Sequence, residues 1–286
     1  SVAVTYTDSD DGSAVASPTE AGEYAVVATV SDDNYEGSTS GTLTIEKASV
    51  GSDPLTLLVT AASKEELPEL PDGYTSFAVT VPNSATSIRS QAFAYYGEKL
   101  NSVTIPDSVT SIESQAFDHT FLESVTIGNS VRSIGFAAFF DTKLKSVVIP
   151  DSVTSIGSSA FSTCLFLESV IIGNSVTSID DSAFRSTKLK SVVIPDSVTS
   201  IGKYAFSGCD YLESVTIGNS VTSIDDSAFR STKLKSVVIP DSVISIGKHA
   251  FSGCDFLESV TIGNSVISID DSAFRSTKLK SVVIPD

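Results

Sequence analysis

Tryptophan and methionine are absent from this chain of 286 residues, which carries three cysteines and two histidines. No Cys-x-x-Cys pair and no histidine partner accompany the cysteines, so a zinc site has no ligand set. Gly-x-Ser-x-Gly, the phosphate-binding glycine loop and His-Glu-x-x-His are missing too, and with them the chemistries those motifs serve. Cations are scarce: 18 Lys and Arg stand against 35 Asp and Glu, a net charge of −17. Such a chain repels nucleic-acid phosphates and anionic lipid surfaces. No apolar run approaches the ~18 residues that a membrane-spanning helix needs. Without an initiating Met or a leader segment, the sequence starts inside the alternating stretch Val2–Tyr6 and stops inside a repeat at Asp286. It reads as part of a longer precursor. Neither a cofactor nor a catalytic residue is expected.

What the chain has in abundance is itself. Asp196–Pro240 returns as Asp241–Pro285 with 4 of 45 positions changed. Within that unit lies a shorter period, marked by Phe93, Phe117, Phe139, Phe161, Phe184, Phe206, Phe229, Phe251 and Phe274. The first two are 24 apart in number, and all later steps are 22 or 23. That step is the length of one coil, and the 45-residue unit is two coils of alternating kind. The inward set of one coil is Leu189, Val192, Ile194, Val198, Ile201, Ala205 and Phe206. Each large member contributes roughly 1.5–3 kcal/mol when buried, but a lone coil has nothing to bury it against. Coils must stack, as in solenoid arrays.

Three zones follow. Residues 1–47 are rich in Thr, Ser, Val and Gly, with strand-like alternation at Gly22–Val30 and Gly41–Glu46 and turn signals at Asp8–Gly12 and Asp32–Asn34. Residues 48–80 form a junction. There Leu55–Thr60 reads as a strand, and Ser63-Lys64-Glu65-Glu66 fits the capping box of a short helix ended by Pro68 and Pro71. That helix is expected to cap the array. Residues 81–286 hold about nine coils.

Two resemblances attach to these zones. Ala21-Gly22-Glu23-Tyr24, Asn34-Tyr35 and Gly41-Thr42-Leu43-Thr44-Ile45 resemble the MBG-type immunoglobulin-like module of bacterial surface proteins. The zone is short for such a module, so it would be a partial, all-β one. The run Ile194-Pro195-x-Ser197-Val198-x-Ser200-Ile201-Gly202-x-x-Ala205-Phe206-x-x-Cys209-x-x-Leu212-x-Ser214-Val215 resembles the BspA-like leucine-rich repeat. That resemblance implies a right-handed solenoid of leucine-rich repeats. It would carry a parallel β-sheet on one face, with short helical or 3-10 segments and a second short strand on the others. It also implies a non-enzymatic, extracellular or cell-surface protein of adhesin type, binding host matrix or cell-surface proteins or other cells.

Coils about 4.8 Å apart place equivalent residues in columns. One column reads Glu123, Lys145, Glu168, Lys190, Glu213, Lys235, Glu258, Lys280, and alternation there turns like-charge repulsion into weak attraction. Asp181, Lys203, Asp226, Lys248 and Asp271 repeat the device. Asp151, Asn174, Asp196, Asn219, Asp241 and Asn264 separate carboxylates with amides. Cys164, Cys209 and Cys254 recur once per 45-residue unit, with Thr187, Thr232 and Thr277 between. Two coils of separation exceed the ~7 Å reach of a disulfide, so buried free thiols are expected. The paired Asp180-Asp181, Asp225-Asp226 and Asp270-Asp271 are read as ion-pair partners of Arg185, Arg230 and Arg275, and His249 as a solvated position.

The candidate binding face is the strand face, made of Lys145, Glu168, Lys190, Val193, Glu213, Thr216, Lys235, Val238, Glu258, Thr261 and Lys280. No aromatic is expected on it. Phe161, Phe184, Phe206, Phe229, Phe251 and Phe274, with the three cysteines, are assigned to structure. The second functional reading is a filament or sheath subunit self-associating end to end, suggested by an unpaired last strand at Ser281–Ile284.

Overall fold

The computed structural model describes the backbone of residues 2–8, 14–15, 24–30, 41–43, 55–60, 74–97 and 99–283, with side chains from 75 onward. The capping-box helix and the two N-terminal turn signals lie outside the described residues.

β-branched alternation near the N-terminus gives four strands in one antiparallel sheet. Val2–Asp8 pairs with Ala14–Val15 on one side and with Tyr24–Val30 on the other, and Gly41–Leu43 adds to the far edge. Leu55–Thr60 is a strand with the bounds expected of it. It joins the repeat array rather than this sheet, pairing in parallel with Tyr74–Thr80, which pairs with Leu100–Thr104.

From Tyr74 the chain winds as a parallel solenoid of about nine turns. Each coil meets the next along three backbone seams. The first is the Ser-Ile pair, Ser87–Ile88 through Ser268–Ile269, which forms one unbroken nine-stranded sheet. The second seam is the turn around each Phe. Here N–H groups of alternate residues donate to the coil above: Gln115 to Phe136, Phe117 to Ala138, His119 to Phe140, at 2.8–3.0 Å. The segments expected as short helical or 3-10 pieces are single turns closed by i→i+3 bonds, such as Ala116 N–H to Glu113. They never run on into a helix, because the residues two before and two after the Phe adopt left-handed φ. Ser182 (59°) and Ser186 (57°) flank Phe184 in this way. A non-glycine residue pays roughly 1–2 kcal/mol there, offset by the bonds to the next coil.

The third seam, of three-residue strands, is interrupted. Coils ending their strand in Pro-Asp (Pro106, Pro150, Pro195, Pro240) are called proline coils here, and those ending in Gly-Asn (Gly128, Gly173, Gly218, Gly263) glycine coils. A glycine coil on top of a proline coil makes a continuous ladder: Ser146–Val148 with Ser169–Ile171, Ser191–Val193 with Ser214–Thr216, Ser236–Val238 with Ser259–Thr261. The glycine permits it. A Cβ on Gly173 or Gly218 would overlap the backbone carbonyl of Pro150 or Pro195. Asp151 then accepts the Asn174 backbone N–H at 2.7 Å and its side-chain amide at 3.3 Å, and Asp196 and Asn219 repeat the arrangement. Asn thus closes the joint by donating, beyond keeping carboxylates apart.

Where a proline coil sits on a glycine coil, no ladder forms at Thr126/Ser146, Ile171/Ser191 or Thr216/Ser236. The Lys190 N–H reaches Glu168 only at 3.4 Å, against 2.9 Å for Glu168 to Lys145 at the tight joint. Tight and loose joints therefore alternate, and this is the structural meaning of the 45-residue period. The joint between Ser259–Thr261 and Ser281–Val283 is of the second order but does pair, and no described coil lies beyond it.

Inside, the phenylalanines form one column. Ring centroids from Phe93 to Phe274 step by 5.1–5.4 Å with interplanar angles of 2–9°. Near-parallel rings with centroids that far apart are offset-stacked, the favoured arrangement. Every ring from Phe93 to Phe251 is fully buried. Phe206→Ala is expected to cost ~3–5 kcal/mol. Gly218→Ala, which meets backbone and not a yielding side chain, should cost ~1–3 kcal/mol. Urea denaturation of the two variants checks both values.

Candidate functional site

Strand alternation decides what the array shows to solvent. In Ser146–Val148 the middle residue is buried and the outer two are exposed, and the pattern repeats along the array. All eleven residues assigned to the candidate face are exposed and share it. Among them the β-branched column stands out: Val148, Ile171, Val193 and Val238 are 57–64% exposed, with Thr216 and Thr261 continuing the line.

The charged column carries ion pairs at every second joint. Each lysine pairs with the glutamate of the coil before it: Lys145 with Glu123 at 2.6 Å, Lys190 with Glu168 at 2.6 Å, Lys235 with Glu213 at 2.5 Å, Lys280 with Glu258 at 2.8 Å. These are the loose joints. The first three ion pairs stand where the strand ladder is missing, and the fourth, Lys280–Glu258, at a joint of the same order that does pair; at the tight joints the backbone already holds the coils together. Hydrogen bonding to lysine, then its charge, draws Glu168, Glu213 and Glu258 below the usual glutamate range, and Lys190 is raised by the same contact.

The sequence reading missed the aromatic residues at the strand entry. Phe166, Tyr211 and Phe256 are about half exposed, one per 45-residue unit, each two residues before a strand-face glutamate. Lys188, Lys233 and Lys278 of the following coil place their Nζ 5.3, 5.0 and 5.4 Å from the ring centroids. Both lysines of each Lys-Leu-Lys run thus act on the same joint, one on a carboxylate and one on a ring face. The signal was available: the Phe161–Leu167 and Phe206–Leu212 arcs are one residue longer than Phe184–Leu189, and the added length carries the aromatic.

Other expectations resolve as follows. Asp181 and Asp226 accept the backbone N–H of Lys203 and Lys248 at 2.7 and 2.9 Å. Among the described residues no ion pair joins them to Arg185, Arg230 or Arg275, whose side chains leave from the turn on the other side of the Phe. Lys203 Nζ lies 3.7 Å from Asp226. The three cysteines are free and buried. The Cys164 thiol donates to the Phe139 carbonyl at 3.0 Å and contacts Thr142 Oγ1 at 3.1 Å, so the Cys–Thr alternation is a hydrogen-bonded pairing across the tight joint. Burial pushes Cys164 and Cys209 up to about 11. Near the start of the array the columns are irregular. His119 lies 2.6 Å from buried Asp118 and 3.7 Å from Asp141, and stacks on Tyr95. A pocket of about 170 Å³ opens beside it, lined by Phe121, Lys143, Leu165 and Phe166 among others.

The BspA type leucine rich repeat region model matches residues 75–189 and 177–286, so nearly every coil is covered. The chain belongs to the BspA-type leucine-rich repeat family. Residues 1–49 match the MBG domain model. Among solved structures, a leucine-rich repeat protein from Bacteroides ovatus is 33% identical over 73% of this chain and 56% of its own, with a TM-score of 0.64. The chain thus spans little more than half of that relative. A leucine rich cell surface protein from Faecalibacterium prausnitzii is 24% identical over 90% of this chain and 88% of its own, TM-score 0.42. The pneumococcal vaccine antigen PcpA is 21% identical over 89% and 86%, TM-score 0.43. A search of curated proteins finds no match.

Two measurements test the joints. A carboxylate with a lowered folded value stabilises fully at neutral pH, and the gain is lost as pH falls through that value. Replacing Glu168, Glu213 and Glu258 by Gln should therefore lower the melting temperature at pH 7. The gap to the parent protein should narrow as pH falls below the usual glutamate range. For the cysteines, buried thiols held in the protonated form react through the thiolate only. Iodoacetamide should label Cys164 and Cys209 at a rate that tracks unfolding, measured by mass spectrometry across a urea series.

Proposed function

We propose that this chain is a non-enzymatic, extracellular or cell-surface binding protein of adhesin type, whose ligand is a host matrix protein, a cell-surface protein or another cell. The observation that carries the reading is the strand face. It repeats one motif of exposed β-branched residue, fixed ion pair and half-exposed aromatic every two coils, on a backbone tied to its neighbours along two further seams. Each motif alone is a weak anchor. A rigid row of them suits a repetitive or extended partner, for which avidity multiplies modest contacts. The family, whose members are typically surface-associated, supports the location. Among the described residues no helix is long and apolar enough to cross a membrane.

A filament or sheath subunit built through solenoid ends is the second reading, and the first coil bears on it. Head-to-tail growth needs both ends open. Ile88 and Phe93 of the first coil are fully buried, and Leu55–Thr60 already occupies the first strand edge, so this end is covered. The arrangement favours the binding role over the filament.

The test combines Val148→Asp, Val193→Asp and Val238→Asp. Pull-down against matrix proteins and whole cells should show binding reduced at least about tenfold with the melting temperature retained, since exposed positions tolerate charge. Arg185→Ser with Arg230→Ser, on the turn side, should leave binding intact. Equal loss in both sets would remove the strand face from consideration.

A further inference from the structure

The pocket beside His119 is built by three successive coils, and two columns of the array form its sides. His119, Asp141 and Thr163 are the left-handed residues two after each Phe, at φ of 53°, 50° and 58°. Phe121, Lys143 and Phe166 belong to the strand-entry column, where aromatic and lysine alternate. The volume of about 170 Å³ is roughly ten times what a single water needs.

The apolar side is shaped by the lysines. Each entry ring meets the lysine of the coil after it: Phe121 has Lys143 Nζ at 3.2 Å from its centroid, and Phe166 has Lys188 Nζ at 5.3 Å. Lys143 is thus drawn toward Phe121, and the pocket opens between it and Phe166. Leu165 is 51% and Phe166 47% exposed, so two neighbouring apolar side chains stand at the opening. In the later units Asp210 and Asp255 replace Leu165, and serine or glycine takes the place of His119, Asp141 and Thr163. The lining is particular to the first unit.

The polar side offers acceptors. Asp118 is 2% exposed and lies 2.6 Å from His119 Nδ1, and Tyr95 stacks on the imidazole at 5.3 Å. A carboxylate at that distance takes the Nδ1–H bond, which leaves Nε2 of the neutral ring as an acceptor. Nε2 lies 3.7 Å from Asp141 Oδ2, beyond the reach of a hydrogen bond. Two acceptors so spaced, beside an apolar cleft, suit one donor placed between them.

We propose that this pocket binds an aromatic ring with a hydrogen-bond donor on its edge: an indole or a phenol, as in a tryptophan or tyrosine side chain. The ring lies between Lys143 and Phe166 with a π face toward the ammonium. Its N–H or O–H donates to His119 Nε2 and Asp141. The proposal does not rest on the strand-face reading, because a small probe tests it without any partner protein.

The chain has no tryptophan, so the fluorescence of N-acetyltryptophanamide reports binding free of protein background. Titration with the full chain should saturate at one site, with the emission shifted to the blue. Asp141→Gly removes one acceptor and leaves a residue at home in left-handed φ, as Gly208 and Gly253 are in the same column. It should weaken binding at least about fivefold, and so should Lys143→Gln. Phe256→Ala, two units along the entry column, should keep the parent affinity. N-acetylphenylalaninamide, which lacks the donor, should compete at least about fivefold less well than N-acetyltyrosinamide. No saturable signal, equal competition by the two amides, or parent affinity in Asp141→Gly and Lys143→Gln overturns the proposal. So does a loss in Phe256→Ala as large as in those two variants.

Discussion

Backbone hydrogen bonds between one coil and the next are the constraint on which the rest depends. A single coil encloses too little to hold itself. Its turn demands two left-handed residues, its strands are very short, and its apolar side chains have no partners within the coil. Stacking supplies all three at once. The Ser-Ile sheet and the Phe turn run through every joint without interruption. The phenylalanine column fills the space those seams enclose, and its regular ring spacing follows from the uniform rise.

Variation is confined to the third seam, and there the side chains divide the work. A glycine under no obligation to carry a Cβ accepts a proline carbonyl, and the joint closes by main-chain bonds. One coil later the order is reversed, the ladder stops, and lysines reach across to a carboxylate and an aromatic face. The surface that most resembles a binding face is therefore also where the array is held by exposed, salt-sensitive contacts. Residues such as Lys190 and Glu168 have a structural duty that any partner would have to respect. Val193 and Val238 carry no such duty.

Much of this was legible in the residues. The Phe spacing set the coil length, the inward set matched the buried core, and the Cys–Thr alternation pointed to free buried thiols. Leu55–Thr60 was visible as a strand because its apolar run has strand length. What escaped the sequence was direction. A column of alternating Lys and Glu looks the same whether each charge has one partner or two, and only the spacing of the joints breaks the tie. The aspartate pairs were misassigned to arginine for a related reason: charge was visible, but the backbone N–H of Lys203, a better placed donor, was not. The aromatics Phe166, Tyr211 and Phe256 were overlooked because they fall in the longer arc, outside the alternating strand pattern.

The left-handed residues beside each phenylalanine bear on how such a molecule is made. Ser182 and Ser186 hold their backbone angles only because donors and acceptors of adjoining coils are in place. A ribosome delivers the chain from its first residue, and the end of the array delivered first is the end whose core is closed. Each later coil then emerges beside a finished template that fixes its unfavourable turn. Assembly thereby gains a direction, and no segment waits long with its apolar residues unshielded.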